Sequence, residues 1–172
     1  MDLFEAINER RSIRKFQPRP LSDECIKRIF SAIRKAPSAS NAQPYKFIVV
    51  NDEDLKLKVA SACHDGRWIA EAPVVVVACG IVDDAYPTLG GFMSSYPVDV
   101  GVALGYFTLA AVNEGLGCTI IPSFKEEKVK EVLNIPQDVR VLAIIPIGYP
   151  AEKPDPSPKK HVSDLVEYNK YR

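Results

Sequence analysis

One long apolar segment, from Pro97 to Val112, constrains the fold of this chain more than any other feature. A proline at its first turn and Gly115 beyond its end predict a helix whose side chains are apolar nearly all round. Such a helix must be covered on every side, which a small domain can rarely do alone. Gly101 and Gly105, one turn apart, would let a second helix come close. We therefore predict that a subunit interface covers part of this helix.

Length and charge limit the class of protein. The chain has 172 residues, 47% hydrophobic and 26% charged, which predicts a single globular domain over residues 1–172. Its 22 basic residues balance its 22 acidic residues, so no global field attracts nucleic acid or an acidic membrane. Any such interaction would require a local patch.

Cysteine usage and the first residues predict a cytoplasmic protein. Four cysteines without metal-binding spacing, most of them inside apolar segments, are typical of reduced core residues: Cys25, Cys63, Cys79 and Cys118. Residues 1–5 lack the basic flank and apolar stretch of a signal peptide. No segment reaches the ~18 uninterrupted apolar residues that a membrane span needs.

Local patterns predict the remaining elements. Strands are predicted over residues 46–50, 74–77, 118–121 and 140–147. Further helices are predicted after Asp2, after the cap Ser22, from about Asp52 to Cys63, and after Ser123, which has capping-box spacing to Glu126. Because strands and helices are mixed along the chain, an α+β fold fits as well as a parallel α/β sheet.

The composition changes abruptly from about residue 149. Four prolines within nine residues, followed by Lys159, Lys160 and His161, predict an extended arm stiffened by proline. Residues 162–168 return to a mixture of apolar and polar side chains, so we expect the arm to end in a segment that docks.

Residues 10–19, here called the basic segment, contain five of the 22 basic side chains: Arg10, Arg11, Arg14, Lys15 and Arg19. With Ser12 between the arginines, the segment offers the mixed donors that bind a phosphate monoester, and arginine can bind two oxygens at once. An inositol phosphate, a nucleotide or a flavin phosphate would fit. Alternatively, Arg10 and Arg11 only favour the negative end of the first helix and the other cations are solvated.

Residues 37–44, here called the polar loop, lie between two prolines and precede a predicted strand. Ser38, Ser40, Asn41 and Gln43 offer groups that pair with the edges of a heterocycle or with sugar hydroxyls. The segment could equally be an ordinary surface loop. The chain contains neither GxGxxG nor GxxxxGK[ST], so side chains must bind any phosphate.

Other chemistry has little support in the sequence. His64 and His161 are the only histidines, and the consecutive residues Cys63, His64 and Asp65 cannot all face one ion on regular structure, so no metal site is predicted. No G-x-S-x-G elbow accompanies a serine. Residues 83–96, here called the aromatic loop, are rich enough in aromatic side chains to cover a planar ligand.

Four motifs in order resemble the short form of the flavin-dependent nitroreductase family. They are RRSIRKF from Arg10, APSASNAQPY from Ala36, Glu71-Ala72-Pro73 before a valine strand, and Asp99 followed by the helix end from Leu109 to Gly117. The resemblance spans nearly the whole chain. It implies an α+β fold with a central mixed sheet flanked by helices, in an intertwined homodimer.

The resemblance also implies a function and a set of cofactor contacts. The enzyme would bind FMN, take hydride from NADH or NADPH, and reduce nitroaromatics, quinones or similar acceptors. The cofactor carries this chemistry, so no catalytic acid or base is assigned. By position, the contacts implied are Arg10, Arg11, Ser12 and Arg14 to the phosphate, ribityl chain and pyrimidine edge; Pro37, Ser38, Ala39 and Asn41 from the other subunit; Ile121, Pro122 and Ser123 near N5; and Lys159 and Lys160 at the phosphate.

The chain departs from the family at two places. Where many members place an amide or a lysine near the flavin pyrimidine, Arg67 or Trp68 would have to serve, and Pro122-Ser123 replaces the usual Glu-Gly or Gly-Ala pair. A flavin-binding sensor or storage module without turnover is the alternative function. A nucleic-acid-binding protein that uses the basic segment is a third, disfavoured by the zero net charge.

Overall fold

The computed structural model describes residues 1–64 and 66–171, which form five α-helices and one four-stranded sheet. The helices are α1 (Leu3–Glu9), α2 (Asp23–Ile33), α3 (Glu53–Ser61), α4 (Tyr96–Asn113) and α5 (Glu126–Leu133). The strands are β1 (Tyr45–Val50), β2 (Val74–Ile81), β3 (Gly117–Cys118) and β4 (Val139–Gly148). Three short 3-10 helices cover Ala39–Asn41, Gly66–Glu71 and Val162–Asp164.

The sheet has the order β1-β2-β4-β3, and all three pairings are antiparallel. The fold is therefore α+β, and the parallel α/β alternative is wrong. The predicted mixed sheet is corrected as well, because in the described chain parallel pairing is confined to one isolated bridge between Ser12 and Cys118. A bulge between Ala78 and Cys79 shifts the register of β2 against β4.

Helices cover both faces of the sheet. Successive residues of a strand point to opposite faces, so each strand contributes to two cores. On β2, Val74 and Val76 pack with α2 and α4 in one core cluster. Val75 and Val77 pack with α3 and α5 in the other. Every valine of this run is therefore buried, because both faces of β2 are covered by helices.

Only one side of α4 is covered by its own chain. Phe107 and Ala103 are buried against the sheet, whereas Val98 on the outer side is 45% exposed and Tyr106 is 41% exposed. A Cβ atom built on Gly101 or Gly105 meets nothing within 4 Å. The outer face of this helix is therefore apolar, smooth and open. In the part of the chain described, no helix is long and apolar enough to cross a membrane.

Two helix starts show where local prediction succeeds and fails. The prediction that Ser22 caps α2 is confirmed, since its hydroxyl accepts a hydrogen bond from the Cys25 N–H. The capping box from Ser123 to Glu126 is wrong, because α5 begins only at Glu126 and has no side-chain cap. The Glu126 carboxylate instead binds Arg140 on β4.

Candidate functional site at the edge of the sheet

The basic segment runs extended between β3 and the chain that follows β4. The Ile13 N–H donates to the Cys118 carbonyl at 3.1 Å, and the Gln17 N–H donates to the Tyr149 carbonyl at 2.9 Å. The Ile13 and Phe16 side chains are buried. Arg14 and Lys15, which lie between these two buried residues, are exposed.

Close packing fixes this position. Gly117 lies directly under Ile13, and a Cβ atom at residue 117 would come 2.3 Å from Ile13 Cγ1. The Thr119 hydroxyl donates to the Ile13 carbonyl at 2.7 Å. Residues 117–119 therefore contact the basic segment through Ile13. The sequence predicts a strand over residues 118–121, but β3 ends at Cys118. Ile121 returns to the sheet only by an isolated bridge to Ile144.

The cations of the basic segment differ in what they contact. The Arg11 guanidinium donates to the carbonyls of Asn8 and Arg10 at the end of α1, as in the alternative interpretation of that residue. Among the described residues, Arg10 and Arg14 form no ion pair. Arg19 lies over the Tyr149 ring, with its guanidinium carbon 3.8 Å from the ring centroid. Within the described residues, Arg10 and Arg14 are thus the two arginines of this segment whose guanidinium groups make neither a hydrogen bond nor a ring contact.

All four cysteines are buried and free, as predicted. Burial raises the pKa of the Cys118 thiol to about 12, although the charge of Arg10 acts in the opposite direction. Burial also raises the pKa of Cys63 and of Cys79 to about 11. None of these thiols is a nucleophile at neutral pH. No group of three or more metal-ligating side chains is found in residues 1–64 and 66–171.

The polar loop is folded in an unusual backbone conformation. Ser40, Asn41 and Gln43 all have positive φ angles, of 52°, 56° and 50°. Such angles are uncommon for residues other than glycine, and each one costs free energy. The Ser38 hydroxyl accepts a hydrogen bond from the Gln43 N–H at 2.9 Å, which closes the loop on itself. A strained, ordered loop of this kind presents its polar groups in fixed directions.

A single chain does not bring the predicted contacts together. The basic segment lies beside β3, whereas the polar loop, with Pro37, Ser38, Ala39 and Asn41, leads into β1 at the opposite edge. Three strand spacings separate these edges, roughly 14 Å. Within one chain the two sets of predicted contacts therefore lie at opposite edges of the sheet.

The other predicted contacts lie after β3 and on the arm. Ile121 is half-buried, Pro122 and Ser123 are exposed, and Lys159 and Lys160 are exposed. The arm, residues 149–171, pairs with the basic segment at its beginning, through a bridge between Pro150 and Phe16. Every residue from 155 to 171 is exposed, including large apolar side chains at Val162, Leu165 and Tyr168.

The expected ring contacts around residues 65–68 are defined in part. Asp65 lies outside the described residues. Arg67 is exposed, and Trp68 is half-buried and packs against the cluster of Ile13 and Phe16. Trp68 therefore supports the basic segment from below.

Sequence reasoning assigned no supporting role to two carboxylates, Glu152 and Asp99, although Asp99 is part of one family motif. Glu152 accepts hydrogen bonds from the backbone N–H groups of Arg14 and Lys15. Asp99 accepts one from the Ala39 N–H in the polar loop. An acidic residue inside the apolar segment that becomes α4 is a signal that could have identified Asp99, whereas Glu152 has no local signal.

The fold and the site together define an α+β protein that presents free arginines along one edge of its sheet. The sequence pattern of the Nitroreductase family matches residues 7–82 and 65–149. This chain belongs to that family.

Individual relatives agree with this assignment. A solved nitroreductase family protein from Clostridium novyi NT is 33% identical, with 90% of this chain and 89% of that chain covered and a TM-score of 0.83. FMN reductase (NAD(P)H) of Bacillus subtilis is 30% identical over 92% of this chain and 70% of its own length. The structure of NADPH:FMN oxidoreductase from Vibrio harveyi, complexed with NAD+, is 26% identical and has a TM-score of 0.89, with 99% of this chain and 78% of that chain covered.

Proposed function

We propose that this protein is a cytoplasmic, FMN-dependent NAD(P)H oxidoreductase that acts as a homodimer and reduces nitroaromatics, quinones or similar acceptors. The observation that carries the proposal is that Arg10 and Arg14 form no ion pair within residues 1–64 and 66–171, on a segment whose backbone is fixed on both sides. Cations whose backbone is already ordered lose little entropy when they bind a phosphate. The names of the Bacillus subtilis and Vibrio harveyi relatives support FMN and a nicotinamide as cofactors.

The residues present fit FMN in chemical terms. The guanidinium groups of Arg10 and Arg14 would bind the phosphate, with the Ser12 hydroxyl beside them. The fixed donors and acceptors of the polar loop would pair with the flavin ring edge, and backbone of Ile121, Pro122 and Ser123 would face the ring. When bound, FMN supplies the redox chemistry, by accepting electrons from the nicotinamide and passing them to the acceptor.

A second copy of the chain would complete each site. The polar loop and the basic segment lie at opposite edges of one sheet, so Pro37, Ser38, Ala39 and Asn41 would serve the flavin of the other protomer. The open face of α4 and the exposed apolar side chains of the arm both favour burial against a second copy. The arm would then bring Lys159 and Lys160 to the phosphate bound by its partner. A symmetric dimer would contain two equivalent sites.

The test is the visible absorption spectrum of the purified, desalted protein, before and after NADH or NADPH is added under argon. A yellow protein that bleaches with either donor supports the proposal, and adding nitroaromatics or quinones then identifies the acceptor. A yellow protein that neither donor bleaches would instead favour the flavin-binding sensor or storage module. A colourless protein that cannot be loaded with FMN would contradict the proposal.

A further inference from the structure

Ser95, at one end of the aromatic loop, is hydrogen-bonded to Tyr86 near the other end. The Ser95 N–H donates to the Tyr86 carbonyl at 2.9 Å, and the Tyr86 N–H donates to the Ser95 hydroxyl at 3.0 Å. Both backbone polar groups of Tyr86 are therefore satisfied by one residue. Between them the loop turns through Gly90 and Gly91, both with positive φ, and presents Phe92, which is 83% exposed.

Asp99 connects Ser95 to the polar loop. Its carboxylate is only 3% exposed and lies in the first turn of α4, where the helix dipole favours negative charge. Oδ2 accepts a hydrogen bond from the Ser95 hydroxyl at 2.7 Å, and Oδ1 accepts one from the Ala39 N–H at 2.9 Å. One buried carboxylate thus supports two loops, one with each oxygen.

The surroundings make this carboxylate important for the positions of both loops. Burying a carboxylate costs free energy unless hydrogen bonds satisfy it. Moving either loop away would remove one of the two donors to Asp99, so the cost of burial opposes movement of both loops. Ala39 opens the stretch in which Ser40, Asn41 and Gln43 have positive φ angles, a conformation that needs outside support. Tyr45, which follows the polar loop, has its pKa raised by burial and secondarily by the charge of Asp99.

We propose that Asp99 is a positioning residue that fixes the conformations of both the polar loop and the aromatic loop. This inference rests on the proposed function, in which the polar loop contacts the flavin, and on the prediction that the aromatic loop covers a planar ligand, here the acceptor. Asp99 touches neither cofactor nor acceptor. It acts on flavin binding through Ala39 and on acceptor binding through Ser95, so the two loops are ordered by one side chain.

Three variants distinguish the effect of Asp99 on the polar loop from its effect on the aromatic loop. Asp99→Ala removes both acceptors, and Asp99→Asn keeps an oxygen for the Ala39 N–H. Ser95→Ala removes the hydroxyl that links Asp99 to the Tyr86 N–H, and it leaves the contact between Asp99 and Ala39 in place. Val129→Ala is the matched control, because Val129 is fully buried on α5 in the other core cluster. It lowers stability without touching either loop.

Hydrogen-exchange mass spectrometry on the flavin-free protein gives a readout that does not require activity. We expect Asp99→Ala to speed exchange about tenfold in peptides from both loops, as loss of an anchoring hydrogen bond predicts. Ser95→Ala should speed exchange in the aromatic loop alone, and Asp99→Asn should restore protection of the polar loop. Unchanged exchange of the polar loop in Asp99→Ala would overturn the inference, and so would equal deprotection of both loops by Val129→Ala.

Binding measurements connect the loops to function. Asp99→Ala should weaken FMN binding about tenfold, whereas Ser95→Ala should change the FMN Kd less than about twofold and raise the KM for the acceptor. If Asp99→Ala deprotects the polar loop but binds FMN as tightly as the wild type, the inference fails while the proposed function stands. If the wild type binds no FMN at all, the proposed function fails, and the exchange data still decide whether Asp99 orders both loops.

Discussion

The backbone N–H of Arg14 donates a hydrogen bond of 2.6 Å to Oε1 of Glu152, 138 positions later in the chain. The same oxygen accepts from the Lys15 N–H at 3.1 Å. The carboxylate therefore neutralises no arginine side chain. It fixes the backbone of the basic segment while leaving the Arg14 guanidinium free.

Glu152→Ala should weaken FMN binding without removing any cofactor contact. Two backbone donors lose their charged acceptor, so Arg14 must be ordered when the phosphate binds, and we expect the Kd for FMN to rise about three- to tenfold. Fluorescence titration measures the Kd. Asp155→Ala, at an exposed position on the same arm, is the control and should leave the Kd unchanged. Equal effects of the two substitutions would show that only the charge of the arm matters.

Arg10→Ala and Arg14→Ala should each weaken FMN binding directly. Each productive contact between arginine and phosphate is worth about 1.5 to 3 kcal/mol, which corresponds to roughly a 10- to 150-fold rise in Kd. Titration of FMN against titration of riboflavin, which lacks the phosphate, measures the effect. Riboflavin binding should change little. Unchanged FMN affinity in the double variant would refute the phosphate assignment.

Glu126→Gln should destabilise the protein in a pH-dependent manner. The hydrogen bonds from Arg140, followed by that from the Val141 N–H, lower the pKa of Glu126 below its usual value of 4.5. The stabilisation is therefore present above about pH 4.5 and is lost as the pH falls through the lowered pKa of the folded state. We expect the substitution to reduce the free energy of unfolding by about 1 to 2 kcal/mol at pH 7.

Urea unfolding of the flavin-free protein at pH 7 and at pH 3 measures this difference. The gap between the wild type and Glu126→Gln should narrow at the lower pH. Glu127→Gln is a neighbouring exposed control and should have little effect at either pH. A gap of the same size at both pH values would mean that the charge of Glu126 does not contribute.

Replacement of Gly101 and Gly105 by Gln should shift the proposed homodimer to a monomer. Both residues lie on the open face of α4, and a Cβ atom meets nothing there within 4 Å, so the isolated chain accepts the new side chains. In a helix the change itself is stabilising by about 0.5 to 1 kcal/mol per glycine. Sedimentation velocity measures the dimer fraction, and thermal unfolding verifies the fold. A dimer of undiminished affinity would show that the partner does not pack closely on this face.

The sequence predicts features that depend on neighbouring residues and misses those that depend on distant ones. Ser22 caps α2 because its partner Cys25 is three positions away, and no other group competes for its hydroxyl. Ser123 and Glu126 have equally good spacing, but Arg140 and Val141 on β4 bind the carboxylate instead. Such a competitor becomes visible only when the strand and the helix are in contact.

The same reasoning applies to the candidate site. Arg10 and Arg14 stand out because charge clusters are local, and the structure leaves both available to an anion. Their support from Glu152 spans 138 positions, and the contact between Asp99 and Ala39 spans 60. Neither pairing has a repeat or a spacing that would mark it in the sequence.

The pairing of the basic segment with the beginning of the arm has a consequence for the order of synthesis. Residues 10–19 are synthesised long before Tyr149, Ala151 and Glu152, which complete their hydrogen bonds. The edge of the sheet therefore stays open until residue 152 has been synthesised. Contacts of such long sequence separation form slowly, so we expect a nascent chain to expose the valine strand β2 throughout this interval. We expect chains truncated before residue 149 to aggregate, and chaperones to bind the nascent chain until residue 152 has emerged from the ribosome.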